Sequence, residues 1–340
     1  MTKQTYAELG WSRFFAALAN AEDVQPLRIA EIHRNAATAL GPSGRFSLII
    51  PEHIGPLAVG DWVTVDNGVV TNRFNRQSSL ERRAPGEDSR TQLIAANVTT
   101  LGIVSSCNAD FNIRRLERYL ILAADADCLP LIILTKADQT EDTSDYVRKS
   151  SALSPLVTAL AIDATDAHDI ALLHPWCRTG DTLALVGSSG VGKTTIRNAL
   201  TGDAADTQAI REDDARGRHT TTSRALLRTT VGGWLIDTPG MRALRLFDVS
   251  DGIEAVFADI EELAVGCRFN DCAHDTEPGC LVQKALADGR LDAERMARWK
   301  KLKAEDLRNS ETVAEGRARA KGFQKGVKSA MSRKRQERGS

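Results

Sequence analysis

The sequence predicts an α/β chain of several domains: a small N-terminal β-barrel, a P-loop α/β domain and a C-terminal helical metal-binding module. Three observations carry this reading. Short β-rich pieces with little helix fill the stretch from Leu27 to about Leu93. A strand, glycine-rich turn and helix follow one another in LALVGSSGVGKTTIRNAL, Leu183–Leu200. Cys267, Cys272, His274 and Cys280 then cluster beyond the α/β pattern. At 340 residues there is room for two or three such units.

Composition narrows the classes. With 42% hydrophobic and 26% charged residues the chain suits a soluble globular protein with a sizeable core. A net charge of −1 excludes a polycation, yet from Arg317 onward the only acid is Glu337. No apolar run reaches the roughly 18 residues of a membrane helix. The start, MTKQTYAELGWSRFFAALANAED, lacks the pattern of a signal peptide. A cytoplasmic protein with no membrane partner, and a monomer, is expected. Cys107, Cys128 and Cys177 are scattered among apolar residues. In a reducing compartment the clustered cysteines mean metal rather than disulfide.

In chain order, residues 1–26 read as a short helix and lead-in. Within 27–93, RFSLII and DWVTV have strand composition, and Asp66-Asn67-Gly68 is a hairpin signal between WVTV and VVTN. Several short strands suggest a small barrel of the OB type, a frequent nucleic-acid binder. NRQSSLERRAPGEDSRTQ reads as a polar, arginine-rich connector. From 94 to 250 strands and helices alternate: TTLGIVSS, then the amphipathic NIRRLERYLILAADA, then LPLIILTKAD, ALAIDATD and GGWLIDTPG. Such alternation predicts a parallel sheet with ligand-binding loops at its strand ends. Residues 251–314 read as helical around the cysteines, and 315–340 as a basic tail without fixed structure.

The motifs define a chemistry. Gly187, Gly192, Lys193 and Thr194 fit G-x-x-x-x-G-K-[ST], a loop whose backbone N–H groups cradle phosphates. Its contacts are expected from Gly187, Ser188, Ser189, Gly190, Val191, Gly192, Lys193, Thr194 and Thr195. Lys193 reaches the β- and γ-phosphates and Thr194 holds Mg²⁺. Asp237-Thr238-Pro239-Gly240 follows the apolar WLI; Asp237 is placed to hold Mg²⁺ through water and Gly240 to offer its N–H to a γ-phosphate. Alone the tetrapeptide is an ordinary turn; behind a phosphate loop it is informative. Thr135-Lys136-Ala137-Asp138 resembles the guanine-reading N-K-x-D motif, with Thr in place of Asn. A carboxylate accepts from guanine N1–H and its amine, donors that adenine does not present. Asp163-Ala164-Thr165 stands where a second base loop, S-A-K, is expected, and matches it only at Ala164.

The base motif precedes the phosphate loop, so the order is circularly permuted relative to ordinary GTPases. Thr220, Thr221 and Thr222, between the phosphate loop and Asp237, offer a switch hydroxyl to Mg²⁺. Met241 occupies the place of a water-orienting glutamine, which makes His219 the nearest group able to position water. The spacing C-x4-C-x-H-x5-C from Cys267 to Cys280 suits one tetrahedral structural Zn²⁺.

The permuted order, GRHTTT, DTPG, VGDWV, IAANVTTLGIVSS and the cysteine pattern together closely resemble the ribosome small-subunit-dependent GTPase family (RsgA, also called YjeQ), from about Leu27 to about Trp299. The resemblance implies an OB-fold, a permuted P-loop GTPase domain and a zinc domain. It implies binding to the 30S ribosomal subunit and 16S rRNA, GTP hydrolysis to GDP stimulated by that subunit, and a part in late maturation. It also supports His219 as the catalytic histidine. Two other readings remain: a P-loop ATPase or kinase acting on a small molecule, and a ribosome-binding protein with a vestigial nucleotide site.

Overall fold

The computed structural model describes residues 4–18, 25–33, 35–83, 91–203, 224–238 and 249–310. After a short helix α1 (Arg13–Leu18), five strands close into a barrel: β1 (Leu27–His33), β2 (Ala36–Gly41), β3 (Gly44–Ile49), β4 (Trp62–Asp66) and β5 (Val69–Arg73). Their order is β1-β2-β3-β5-β4, closed by Leu27 opposite Val63. The small interior is filled by alternating inward residues, among them Ile29, Ala37, Ala39, Leu48 and Val70. Asn67 and Gly68 both take positive φ, 48° and 78°, as a two-residue hairpin turn between β4 and β5 requires.

The expected polar connector is instead two strands. β6 (Ser79–Arg83) pairs antiparallel with β7 (Thr91–Ala96). Leu80, Ile94, Ala95 and Ala96 are buried there. A single apolar residue in β6 is enough because β7 supplies the rest, which is why polar composition misled. The intervening residues 84–90 lie outside the described residues, and β7 runs across the expected limit at 93/94.

The central sheet has six strands in the order β10-β9-β8-β11-β13-β12. They are β8 (Thr100–Ser106), β9 (Leu129–Thr135), β10 (Thr158–Ala161), β11 (Thr182–Gly187), β12 (Leu226–Arg228) and β13 (Trp234–Asp237). Five run parallel; β12 is an antiparallel edge that sequence reading did not anticipate. Side chains alternate between two cores: Ile132 and Leu134 of β9 face one, Leu131 and Ile133 the other. The first core is covered by α2 (Ile113–Asp125) through Leu116 and Leu120. α3 (Ser144–Ser151) follows β9. The second core receives Ile170 of α4 (Ala167–Ala171) and Ile196 and Leu200 of α5 (Lys193–Thr201). From β8 the chain steps outward to β9 and β10. From β11 it steps the other way, to β13. The order therefore reverses between β8 and β11, the place where open α/β sheets form a ligand crevice.

Two seams join the parts. Arg28 of β1 is buried and donates to Leu9 O at 2.7 Å and to Thr182 Oγ1 of β11 at 2.8 Å. Its partners are neutral, and burial pushes the guanidinium down to about 9. On the other side, helices Ser250–Val256, Ala258–Val265, Leu281–Ala287 and Ala293–Ser310 share the first core through Ile253, Phe257, Ile260, Trp299 and Leu302. Gly252 lets two helices touch: a Cβ there would lie 2.5 Å from Ile121 O of α2. Arg298 donates to both carboxylate oxygens of the buried Glu117 on α2 at 2.9 Å, and Arg118 pairs with Glu305. No helix of the described residues is long and apolar enough to cross a membrane.

Candidate nucleotide and metal sites

The phosphate loop leaves β11 at the reversal point. Gly187 has φ 144°, and a Cβ there would meet Val104 O of β8 at 2.2 Å, so only glycine lets the two strands end so closely. Gly190 and Gly192 also take positive φ, 78° and 93°, and α5 begins at Lys193. Val191 between them is buried in the second core and pins the loop from below. Lys193 Nζ donates to Gly187 O at 2.8 Å and to Ser188 O, curling the ammonium over its own loop. Ser188, Ser189, Thr194 and Thr195 line the same turn and first helical turn. An N-terminal helix end with a cation and exposed amides is an anion-binding site.

The base loop meets this turn directly. Thr135, the last residue of β9, is buried, and its hydroxyl lies 2.6 Å from Val191 O and 3.0 Å from Ser105 O. The residue expected to touch the base also ties the base loop to the phosphate loop. Lys136 then takes a left-handed conformation, φ 60° and ψ 36°, and Ala137–Gln139 form one 3-10 turn. Asp138 does not cap that turn; its side chain is exposed and makes no hydrogen bond or ion pair among the described residues. A free carboxylate beside a phosphate loop is what reading a purine edge needs. Ala137 N donates to Ile162 O at 3.2 Å, which brings 163–165 alongside. Asp163 Oδ1 there accepts from Thr165 N and Oγ1 at 2.8 and 2.7 Å, and these bonds hold its carboxyl below the usual range. Ala164 is buried.

At the end of β13, Asp237 pairs with Arg197 of α5, Oδ2 to Nη1 at 3.3 Å. Arg197 stands one turn beyond Thr194, so Thr194 and Asp237 share one flank of the helix. A hydroxyl and a carboxylate are hard oxygen donors that fit Mg²⁺. Sequence reading missed Arg197 and also Thr238, a buried residue whose hydroxyl donates to Leu185 O at 2.6 Å and ties β13 to β11. A cation four residues after Lys193 was the available signal for the first. His219, Thr220, Thr221, Thr222, Gly240 and Met241 lie outside the described residues.

The ligand atoms of Cys267, Cys272, His274 and Cys280 all lie within 4.8 Å of one another. Cys267 Sγ is 3.8 Å from Cys280 Sγ, and His274 Nδ1 is 3.6 and 3.4 Å from these two sulfurs. A tetrahedron with metal–sulfur bonds of about 2.3 Å and a metal–nitrogen bond of about 2.0–2.1 Å has edges of about 3.8 and 3.6 Å, so the donor set fits a closed four-coordinate metal. The remaining thiols are buried away from this cluster, and burial pushes Cys107 up to about 11 and Cys128 and Cys177 up to about 12. They are inert core residues. Around the cluster, Glu277 accepts backbone N–H groups of Ala273, Asp275 and Thr276 at 2.8–3.0 Å, folding the loop that carries His274.

Comparison with known proteins agrees with this geometry. The RsgA GTPase family model matches residues 73–247. The small ribosomal subunit biogenesis GTPase RsgA of Mesorhizobium japonicum is 49% identical over 89% of this chain and 90% of its own length. The protein named RsgA 2 of Vibrio vulnificus is 44% identical over 93% and 92%. Among solved structures, YjeQ from Thermotoga maritima superposes with a TM-score of 0.62 at 24% identity, over 83% of this chain and 98% of that one. YloQ, a circularly permuted GTPase, does so with 0.58 at 22%, over 86% and 99%. The permuted strand order, the phosphate loop tethered to a base loop, and this similarity over nearly the whole length together place the chain in the RsgA GTPase family.

Proposed function

We propose that this GTPase acts on the 30S ribosomal subunit, where it assists late maturation and has its GTP hydrolysis stimulated by the subunit. The observation that supports the nucleotide part is the Thr135–Val191 contact, which ties the loop carrying the unpartnered Asp138 to the phosphate loop. The names of the relatives above support the subunit.

In this reading Asp138 and Lys136, with Ala137, hold the guanine. The backbone of 187–192 and Lys193, Thr194 and Thr195 hold the phosphates. Lys193 exchanges its bonds to Gly187 O and Ser188 O for phosphate oxygens, so its charge is already in place before GTP arrives. Thr194, Asp237 and one of Thr220, Thr221 and Thr222 would hold Mg²⁺, which would supply neutralisation of the phosphate charge when bound. Gly240 would offer its N–H to the γ-phosphate and His219 would position the attacking water. As water bonds to the γ-phosphorus, the bond to the β–γ bridging oxygen breaks. GDP leaves with that electron pair, and the water's proton passes to phosphate. Cys267, Cys272, His274 and Cys280 hold one structural Zn²⁺, which adds folding energy to a module too small to build much core of its own. The barrel within 27–93, the module within 251–314 and the basic segment 315–340 contact 16S rRNA, with strong salt dependence. The GTPase domain occupies 94–250, and the protein acts as a monomer in the cytoplasm.

The test is hydrolysis of GTP and of ATP with and without purified 30S subunits. GTP-selective, subunit-stimulated turnover is expected. Equal ATP turnover would favour the small-molecule kinase or ATPase, and subunit binding without hydrolysis a vestigial site. His219→Ala should bind GTP and subunits normally yet lose on the order of 10²-fold in the stimulated single-turnover rate. Wild-type stimulated turnover in that variant would assign water positioning to another group.

A further inference from the structure

Arg197 is a cation inside a cation site. Its Nη1 lies 3.3 Å from Asp237 Oδ2, the carboxylate assigned above to Mg²⁺. Its Nε and Nη2 lie 3.2 and 3.0 Å from Asn198 Oδ1. The backbone fixes where this side chain starts. It leaves α5 one turn after Thr194, on the flank that faces the end of β13, and Thr201 Oγ1 donates to Arg197 O at 2.9 Å within the same helix. Asp237 is held from the other direction, since the next residue, Thr238, is bonded to Leu185 O of β11. Neither partner has far to travel.

We propose that Arg197 competes with Mg²⁺ for Asp237, weakening the hold on the metal and capturing the carboxylate when the metal leaves. This rests on the Mg²⁺ reading of Thr194 and Asp237 given above. Three features make the exchange easy in both directions. The ion pair is long, and both side chains keep about a fifth of their surface in water, 20% for Arg197 and 19% for Asp237, so the pair is weak and a dication displaces it. Once displaced, the guanidinium retains Asn198 Oδ1 and is not left without an acceptor. A guanidinium this close to a bound dication still repels it through a partly screened medium. After hydrolysis the γ-phosphate no longer helps to hold the metal. Arg197 then recovers Asp237, which would no longer hold the metal, so GDP would lose a counter-charge. Arg197 is thus a positioning residue for product release, acting through Asp237 and not on the nucleotide itself.

The experiment titrates Mg²⁺ against binding of mant-labelled GDP to the full-length chain, and follows mant-GDP dissociation at fixed Mg²⁺. Arg197→Gln removes the charge and keeps a polar side chain. Its Mg²⁺ half-saturation should fall on the order of tenfold below wild type, with slower mant-GDP dissociation at low Mg²⁺. Arg197→Lys keeps the charge and should stay within about twofold of wild type. An unchanged half-saturation in Arg197→Gln overturns the proposal. So does a raised one, which would mean that Arg197 orients Asp237 toward the metal, and so does an Arg197→Lys shift as large as that of Arg197→Gln. Should wild-type mant-GDP binding prove independent of Mg²⁺, the metal assignment itself falls, a result distinct from Mg²⁺-dependent binding that Arg197→Gln leaves unmoved. Circular dichroism melting of both variants separates these outcomes from misfolding.

Discussion

In the proposed reading Asp138 selects the base, while Thr135 ties the loop that carries it to the phosphate loop. Asp138 is exposed and unpartnered among the described residues, so its carboxylate is free for a base. Asp138→Asn removes the acceptor for guanine N1–H. The preference should move from GTP toward xanthosine triphosphate, whose base carries an oxygen in place of the amine; competition binding of the two nucleotides reads this, and retained GTP selectivity would reassign the loop. Thr135 is different, because its hydroxyl is spent on the phosphate loop. Thr135→Val keeps the shape and leaves Val191 O without its buried donor, a loss of roughly 1–3 kcal/mol. GTP and GDP should both bind on the order of tenfold more weakly, with guanine selectivity intact, and Thr135→Ser should recover most of the affinity. Loss of selectivity in Thr135→Val would show that this residue touches the base after all. The sequence made both positions visible through the T-K-A-D spacing. It could not separate a base contact from a tether, since that distinction depends on a phosphate-loop residue 56 positions away.

Elements were legible where periodicity and turn chemistry agree. The Asn67-Gly68 turn, the wholly buried β8 and the amphipathic α2 follow from local pattern alone. β6 and β12 were not: each is a short edge strand paired with the next strand along the chain, and with one apolar residue in β6 and three residues in all in β12 there is no alternation to read. The cysteine module was legible by spacing, and its geometry makes a prediction at this scale. The module's short helices, Ala258–Val265 and Leu281–Ala287, are joined through Cys267 and Cys280 at their facing ends. Cys272→Ser, or removal of zinc by a chelator, should lower the melting temperature of the module and expose these helices to protease. Nucleotide binding by the isolated protein should largely survive, since α5 and the phosphate loop draw on the second core. Zinc analysis with a melting curve checks both halves. One zinc per chain retained in a Cys267/Cys272/Cys280 triple variant would overturn the ligand assignment.

At the scale of the whole molecule, the C-terminal helices are bonded to the GTPase domain away from the phosphate loop, on α2. The Ala293–Ser310 helix reaches back 181 residues through Arg298 to Glu117 and 187 through Arg118 and Glu305. No local pattern announces such pairs; Glu117 reads in sequence as one more charge on a helix, yet its side chain is fully buried. Removing one partner therefore strands the other. Arg298→Ala leaves Glu117 to Arg295, whose Nη1 is 3.7 Å away, and should cost roughly 3 kcal/mol of local stability. Pairing it with Glu117→Leu should recover much of that, because the cost lies in the uncompensated buried charge. Hydrogen exchange across Ala293–Ser310 measures both, and equal exchange in wild type and Arg298→Ala would mean the apolar contacts of Trp299 and Leu302 hold the seam alone. Acid should act on the neighbouring pair. The hydrogen bond from Arg118 holds the Glu305 carboxyl below its ordinary value of 4.5. A depressed carboxyl stabilises the fold above its unfolded-state value and loses that contribution as pH falls through its folded-state value. Exchange from this helix should therefore quicken as pH drops below 4.5, after correction for the intrinsic rate, and Glu305→Gln should show a flatter dependence over the same window. A variant as acid-sensitive as wild type would place the titrating group elsewhere in the seam.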